Sequence, residues 1–118
     1  MLKRETSPLD MISDLTSDLK MVDCDLGDIQ LLSQLMESAD YVIHCAAMLS
    51  FKTSDRDKIF KVNVEGTANL VNCALEADIK KFIHISSVSA FGKSKKDREV
   101  NEESVWIDSR LNSMYGIS

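Results

Sequence analysis

Positive charge is scarce. Lys and Arg number 14 against 19 Asp and Glu, leaving a formal net charge of −5 and a pI of about 4.9. A nucleic-acid surface needs a basic stripe that displaces counterions from phosphates. The one basic cluster, Lys93, Lys95, Lys96 and Arg98, is broken by Asp97 and Glu99; it reads as a solvated loop rather than a phosphate patch. Cysteine chemistry is equally thin. Cys24, Cys45 and Cys73 form no CxxC pair, and neither histidine stands at metal-ligand spacing from them, so no metal is expected. Each sits among apolar neighbours, which makes buried, reduced thiols the expectation. An odd count without a leader points to a reducing compartment, and no apolar segment follows the charged start Met1-Leu2-Lys3-Arg4. The longest apolar stretch, Tyr41 to Phe51, is far too short to span a bilayer and carries His44 and Ser50. The expectation is a cytoplasmic chain with no nucleic-acid and no membrane partner.

What is present is an ordinary globular composition, 44% hydrophobic and 28% charged, in 118 residues. That is enough for one small domain with little stability to spare. No repeat or low-complexity segment is visible. Ser7-Pro8-Leu9-Asp10 has the form of a helix start, with Ser as cap and Pro in the first turn, and predicts a helix to about Lys20. Met21-Val22-Asp23-Cys24 predicts a short strand. Asp28 then caps a helix carrying Ile29, Leu32, Leu35 and Met36 at helical spacing. Asp40 to Ala47 is an apolar run without alternation, which predicts a parallel strand buried on both faces. Ile59, Val62, Leu70, Val71, Ala74 and Leu75 keep a period near 3.6 and predict one long helix from Asp55 to Ala77. Lys81 to Ser86 predicts a further buried strand, Val88 to Ser113 a mostly polar loop, and Tyr115 the start of another element. Strands alternating with helices imply an α/β fold with a doubly wound parallel sheet.

In such a sheet, ligands bind beyond the carboxyl ends of the strands. Those ends carry Asp25-Leu26, His44-Cys45-Ala46-Ala47 and Ile85-Ser86-Ser87-Val88-Ser89. Small residues at two of them would let a flat ligand approach the backbone. Asp25 offers a carboxylate acceptor, and the serines offer hydroxyls.

Four features in this order, Asp25-Leu26, His44-Cys45-Ala46-Ala47, Asn63-Val64-Glu65-Gly66-Thr67 and Ser86-Ser87 followed by Gly92, resemble the extended short-chain dehydrogenase/reductase superfamily, the NAD(P)-dependent epimerase/dehydratase group. Tyr115-Gly116-Ile117-Ser118 is similar to the first four residues of that family's YxxxK motif. Ser50 to Asn63, together with Phe82 to Ser87, most resembles the dihydroflavonol-reductase and 3-beta-hydroxysteroid-dehydrogenase kind. The resemblance implies a Rossmann-type domain that binds NAD or NADP, acting by hydride transfer on a carbinol or carbonyl of a small sugar-nucleotide or steroid-like substrate. It further implies that Asp25 holds the adenine amino group with Leu26 packed on the ring, that Ala46 and Ala47 lie along the ribose and phosphates, and that Ser86 sits by the nicotinamide. Asn63 would keep the long helix in register with the active-site backbone. Ser87 would hydrogen-bond the substrate oxygen, Ser89 would contact substrate, and Tyr115 would be the general acid/base. A carbinol oxygen must gain or lose a proton as hydride moves. An unperturbed phenol ionises only near about pH 10, and the family's Lys favours its anion with a nearby positive charge. Many relatives pair through the long helix, so 55–77 is a homodimer candidate by resemblance.

Simpler readings stand beside these. Asp25 could merely end a strand, Ala46 and Ala47 could be plain core, Ser86 and Ser87 could cap a loop, and Tyr115 could be a surface residue. His44 and His84 read as packed strand histidines, and Trp106 as a loop anchor. A non-catalytic sensor or interaction module of the same fold, or a product without independent activity, are the alternatives for the whole chain.

Parts of the family pattern have no counterpart. None of the four glycines, Gly27, Gly66, Gly92 and Gly116, forms the GxxGxxG phosphate loop. The motif Lys would follow Ser118, and the C-terminal substrate region is missing. The expectation is therefore an internal piece of such an enzyme. Met1 to Arg4 is similar to the end of the family's second strand, which would place Arg4 against a 2′-phosphate and favour NADP. In the strand order 3-2-1-4-5-6, Met21–Cys24 corresponds to strand three and the next run to strand four, so strands one and two belong between them. A hole is expected at the sheet centre, and with it marginal stability and poor NAD(P) binding.

Overall fold

The computed structural model describes residues 1–91, 101–106 and 108–118. Gly92 and the basic cluster from Lys93 to Arg98 lie outside the described residues.

Two parallel strand pairs organise the chain. In the first, β1 (Leu2–Lys3) pairs with β2 (Val22–Asp23), Leu2 opposite Val22 and Lys3 opposite Asp23. Lys3 and Asp23 also form an ion pair, and the Cys24 N–H donates to the Lys3 carbonyl at 2.8 Å. In the second, β3 (Tyr41–His44) and β4 (Lys81–His84) run in full register, from Tyr41 opposite Lys81 to His44 opposite His84. The expected hole is there: no strand joins β1 to β3 among the described residues. Leu2–Lys3 is the strand beside β2, and the two pairs form separate two-stranded sheets among the described residues.

The core lies on one face of the β3–β4 pair. Helix α1 (Ile29–Met36) begins at Asp28, whose Oδ1 accepts from the Leu31 N–H at 3.1 Å and satisfies one of the free donors of the first turn. Its i, i+4 pair Leu32 and Met36 is buried against Leu70, Cys73 and Ala74 of α3 (Gly66–Glu76), with Val42 and Phe82 packing from the strands. Strand side chains alternate, so these even-numbered positions face the helices. The odd positions do not find cover: Tyr41 is 65%, Ile43 66% and Ile85 58% exposed. The unalternating run predicted burial on both faces, and that fails here. Nothing among the described residues lies on the second face.

The helical expectations change in detail. The stretch from Pro8 becomes a 3-10 helix, Asp10–Asp18, bent at Ile12 and without a side-chain cap. Ser7 does not cap it; its Oγ instead accepts from the Arg4 N–H at 3.1 Å. No residue of this helix is buried, so packing does not select the α form, and the short i→i−3 bonds Ser13 Oγ to Asp10 O and Thr16 Oγ1 to Ser13 O favour the tighter turn. The predicted single helix 55–77 is a short 3-10 turn (Thr53–Asp55), α2 (Arg56–Phe60), one π-helical turn (Lys61–Glu65) and α3. The polar stretch after β4 contains a 3-10 turn (Val88–Phe91) and ends in α4 (Met114–Ile117). Trp106 is substantially exposed, which does not fit an anchor. No helix among the described residues is long and apolar enough to cross a membrane.

Candidate functional site

A cleft of about 110 Å³ opens beyond the carboxyl ends of β3 and β4, lined by Ala46, Ala47, Asn63, Thr67, His84, Ile85, Ser86, Ser87, Ala90, Tyr115, Gly116 and Ser118. Six of the residues singled out from sequence meet here: Ala46, Ala47, Asn63, Ser86, Ser87 and Tyr115. Arg4, Asp25, Leu26 and Ser89 are not among its lining.

Asn63 ties the cleft together. Its Oδ1 accepts from the Met48 N–H at 2.7 Å, and its Nδ2 donates both to the Met48 carbonyl at 3.1 Å and to Ser118 Oγ at 2.9 Å. Both amide hydrogens and the oxygen are thus used. Ser118 Oγ in turn donates to the Tyr115 carbonyl at 3.1 Å. One side chain in the π-helical turn therefore fixes the loop after β3 and the helix that carries Tyr115. The π turn is the local adjustment that accompanies this aim, as such turns often do at sites.

Helix α4 starts at Ser113, whose Oγ accepts from the Gly116 N–H at 3.1 Å. Gly116 is needed for close approach: a Cβ there would stand 2.9 Å from the Ser89 carbonyl oxygen. This brings the Ser87–Ser89 segment and Tyr115 onto one wall. Ser87 Oγ accepts from the Ser89 N–H at 3.2 Å, so it also shapes the turn, as the simpler reading held, while its hydroxyl hydrogen remains available to a cleft ligand.

Asp25 lies apart, at the end of β2. Its Oδ1 accepts from the Gly27 N–H at 2.8 Å, which orients the carboxylate, and Leu26 packs on the core. Arg4 follows β1 and is exposed.

Of the polar side chains in the cleft, three were not singled out for the site from sequence: Thr67, His84 and Ser118. His44 is a packed strand histidine as expected, 2% exposed, with Nε2 2.9 Å from Thr67 Oγ1. His84 is not packed; it is exposed on the cleft wall, its ring centroid 5.1 Å from that of His44. The signal was available in the two four-residue runs YVIH and KFIH, whose equal-length parallel pairing places the histidines side by side. Burial lowers the His44 pKa, and His84 lowers it further. Cys24 and Cys73 are buried, and burial followed by Asp28 and Asp25 raises the Cys24 thiol. Cys45 departs from expectation: it points to the uncovered side of β3 and is exposed. Among the described residues, no three His, Cys, Asp or Glu side chains gather as a metal site would require.

A cleft beyond the carboxyl ends of two parallel strands, with Ser87 and Tyr115 in its lining, lies where an open α/β sheet binds its ligands. The family comparison agrees. The model of the NAD dependent epimerase/dehydratase family matches residues 2–118, and the chain belongs to that family. It is 33% identical over 101 residues to a putative dihydroflavonol 4-reductase of Synechocystis sp., covering 86% of this chain and 29% of that protein. It is 28% identical over 99 residues to the 3 beta-hydroxysteroid dehydrogenase/Delta 5-->4-isomerase of monkeypox virus, covering 78% and 29%. A short-chain dehydrogenase/reductase superfamily protein from Agrobacterium tumefaciens, solved with bound NAD, superposes with a TM-score of 0.72 at 32% identity over 83% of this chain and 29% of that one. The chain spans about a fifth to a third of the length of the curated relatives it matches.

Proposed function

We propose that the chain forms the middle part of the NAD(P)-binding domain of a reductase-, dehydratase- or epimerase-type enzyme, without its first phosphate-binding βαβ unit or its C-terminal substrate region. The observation that carries this is the meeting of Ser87, Tyr115, Asn63, Ala46 and Ala47 in one cleft, although they come from four separate stretches of sequence. The residues fit a dinucleotide. Ala46 and Ala47 are small and exposed, leaving room along the backbone. Asp25 keeps Oδ2 for an exocyclic amino group once Oδ1 is bound to Gly27.

A nicotinamide cofactor supplies or accepts the hydride when bound. The chain's own residues manage the proton and the orientation. Ser87 donates a hydrogen bond to the substrate oxygen. Tyr115 gives or takes the proton at that oxygen. Asn63 holds Tyr115 and the Met48 backbone at fixed separation, and Ser86 lies where the nicotinamide edge would rest. Ser89, in the next turn and outside the cleft lining, is the contact proposed for a part of the substrate beyond the cleft. The substrate class is a small carbinol or carbonyl compound, a sugar nucleotide or a steroid-like alcohol. Arg4, at the end of β1, would meet a 2′-phosphate and favour NADP over NAD. A homodimer contact along 55–77 would use its exposed Phe60 and Leu75.

The test is a titration of the ¹⁵N-labelled 118-residue chain with NAD⁺ and NADP⁺. Because the glycine phosphate loop is lacking, binding is expected to be weak, with Kd about 1 mM or above. Amide shifts should be confined to Ala46, Ala47, Ser86, Ser87 and the Asp25–Gly27 turn, and Tyr115→Phe should leave Kd unchanged within about twofold. Shifts confined to other surfaces, or none at saturating nucleotide, would remove the reading.

A further inference from the structure

We propose that Asn69 and Gly66 of α3 are positioning residues for the Asp25-Leu26-Gly27 turn, and that they set its preference for a 6-amino over a 6-oxo purine. This rests on the adenine-end reading of Asp25 given above.

The turn has little to hold it from its own neighbours. Strand β2 is two residues long, and its last ladder bond is the one from Cys24 to Lys3. Within the turn, Gly27 N–H binds Asp25 Oδ1, and the Asp28 N–H donates to the Asp25 carbonyl at 3.0 Å. These bonds fix its shape but not its place. Its place is set by α3. Asn69 Nδ2 donates to the Leu26 carbonyl at 3.0 Å, across 43 positions of sequence. Without that donor, a half-buried carbonyl would lose its partner. One turn earlier, Gly66 is buried, and a Cβ on it would stand 2.9 Å from Leu26 Cβ and 3.1 Å from Leu26 Cδ1. The first of these atoms is attached directly to the backbone and cannot swing away. Gly66 and Asn69 are i, i+3 neighbours and so share a helix face. That face receives both the side chain and the carbonyl of Leu26.

The same helical stretch carries Asn63, three residues before Gly66, which holds the cleft loop and α4. One rigid segment therefore sets the distance between the Asp25 carboxylate and the Tyr115 cleft, the two ends of a bound dinucleotide. The carboxylate discriminates because it only accepts hydrogen bonds. It accepts from a 6-amino group and repels a 6-oxo oxygen, provided that its position is held.

The probes are adenosine 5′-monophosphate and inosine 5′-monophosphate, titrated into the ¹⁵N-labelled chain. The native chain should bind the adenine nucleotide more tightly and show shifts at Asp25 to Asp28. Asn69→Asp keeps the side-chain shape but removes the donor. It should reduce the adenine-over-hypoxanthine preference by about fivefold and raise amide exchange at Gly27 and Asp28 by a similar factor. Gly66→Ala should do the same by displacing Leu26, and Asn69→Gln, which keeps an amide donor, should recover part of the preference. In each variant, unchanged α1 and β3 amide shifts report that the fold is intact. Should Asn69→Asp discriminate as well as the native chain, the positioning role falls while the adenine reading stands. Should the native chain itself show no preference, both fall.

Discussion

His44 and His84 occupy paired positions on neighbouring strands yet live in different surroundings. His44 is buried beside Thr67 and Phe82, its ring in a T-shaped contact with that of Phe82, while His84 lies beside it on the cleft wall. Burial first, and His84 second, disfavour the charged form of His44 and lower its pKa. In the unfolded chain a histidine titrates near about 6.5. The stability that comes from keeping His44 neutral is therefore complete above that pH and is lost as pH falls through the lower folded value, because the unfolded state takes up the proton first. The melting temperature should fall as pH goes from about 7.5 to 5.5. His44→Gln, which keeps a partner for Thr67 but does not titrate, should flatten that slope; an unchanged slope would assign it to other groups. The chemistry of single residues was legible only in part. Asn63 stood out because asparagine is a poor mid-helix residue unless its side chain is used elsewhere. Its partners, Met48 and Ser118, could not be read, since they are met only through the fold. Asp25 was legible as a strand-end carboxylate, whereas Asn69 looks like any polar helix residue until the Leu26 carbonyl is seen against it.

At the scale of elements, α3 ends in a complete left-handed cap. Asp78 has φ 52°, the Asp78 N–H donates to the Leu75 carbonyl at 3.2 Å, and the Ile79 N–H to the Ala74 carbonyl at 3.0 Å. This is the paired-bond termination that glycine normally serves. It turns the chain into β4 and seats Ile79 on the core. An Asp pays a steric cost in that conformation, so Asp78→Gly should stabilise the fold by roughly 0.5–1 kcal/mol and Asp78→Val should destabilise it by at least as much. Urea unfolding would measure both, and a destabilised glycine variant would contradict the account. The existence and order of strands and helices were readable because periodicity and caps are local: Asp28 before α1 is the clearest case. The π-helical turn was not. It disturbs the helical pattern by a single residue, and α2 and α3 still read as one continuous period on either side. The 3-10 form of Asp10–Asp18 escaped for a different reason. Its sequence has a helical start, but no tertiary contact buries any of it.

For the molecule as a whole, the decisive feature is what the β3–β4 pair leaves uncovered. Helices α1 and α3 protect one face, while Tyr41, Ile43, Cys45, Ile83 and Ile85 line the other, and among the described residues no strand joins β1 to β3. The radius of gyration, 16.4 Å with extents of 47 × 30 × 28 Å, exceeds the ~13.5 Å expected of a compact domain of this length. The bare face was not legible in the residues, because an apolar run says that a strand is buried in its intended setting and says nothing of which neighbours are present to bury it. Contiguous exposed apolar surface with an open strand edge promotes association. The isolated chain should therefore bind a hydrophobic dye, and sedimentation should show it self-associating as its concentration rises. Replacing Ile43 and Ile85 together with Lys should suppress both effects while leaving the helical circular dichroism intact, since neither residue belongs to the core on the α1–α3 side. Loss of helix in that double variant would show that the second face already contributes to folding. Retained dye binding at full helix content would place the sticky surface elsewhere, with the exposed side of α2 and α3 around Phe60 and Leu75 the next to substitute.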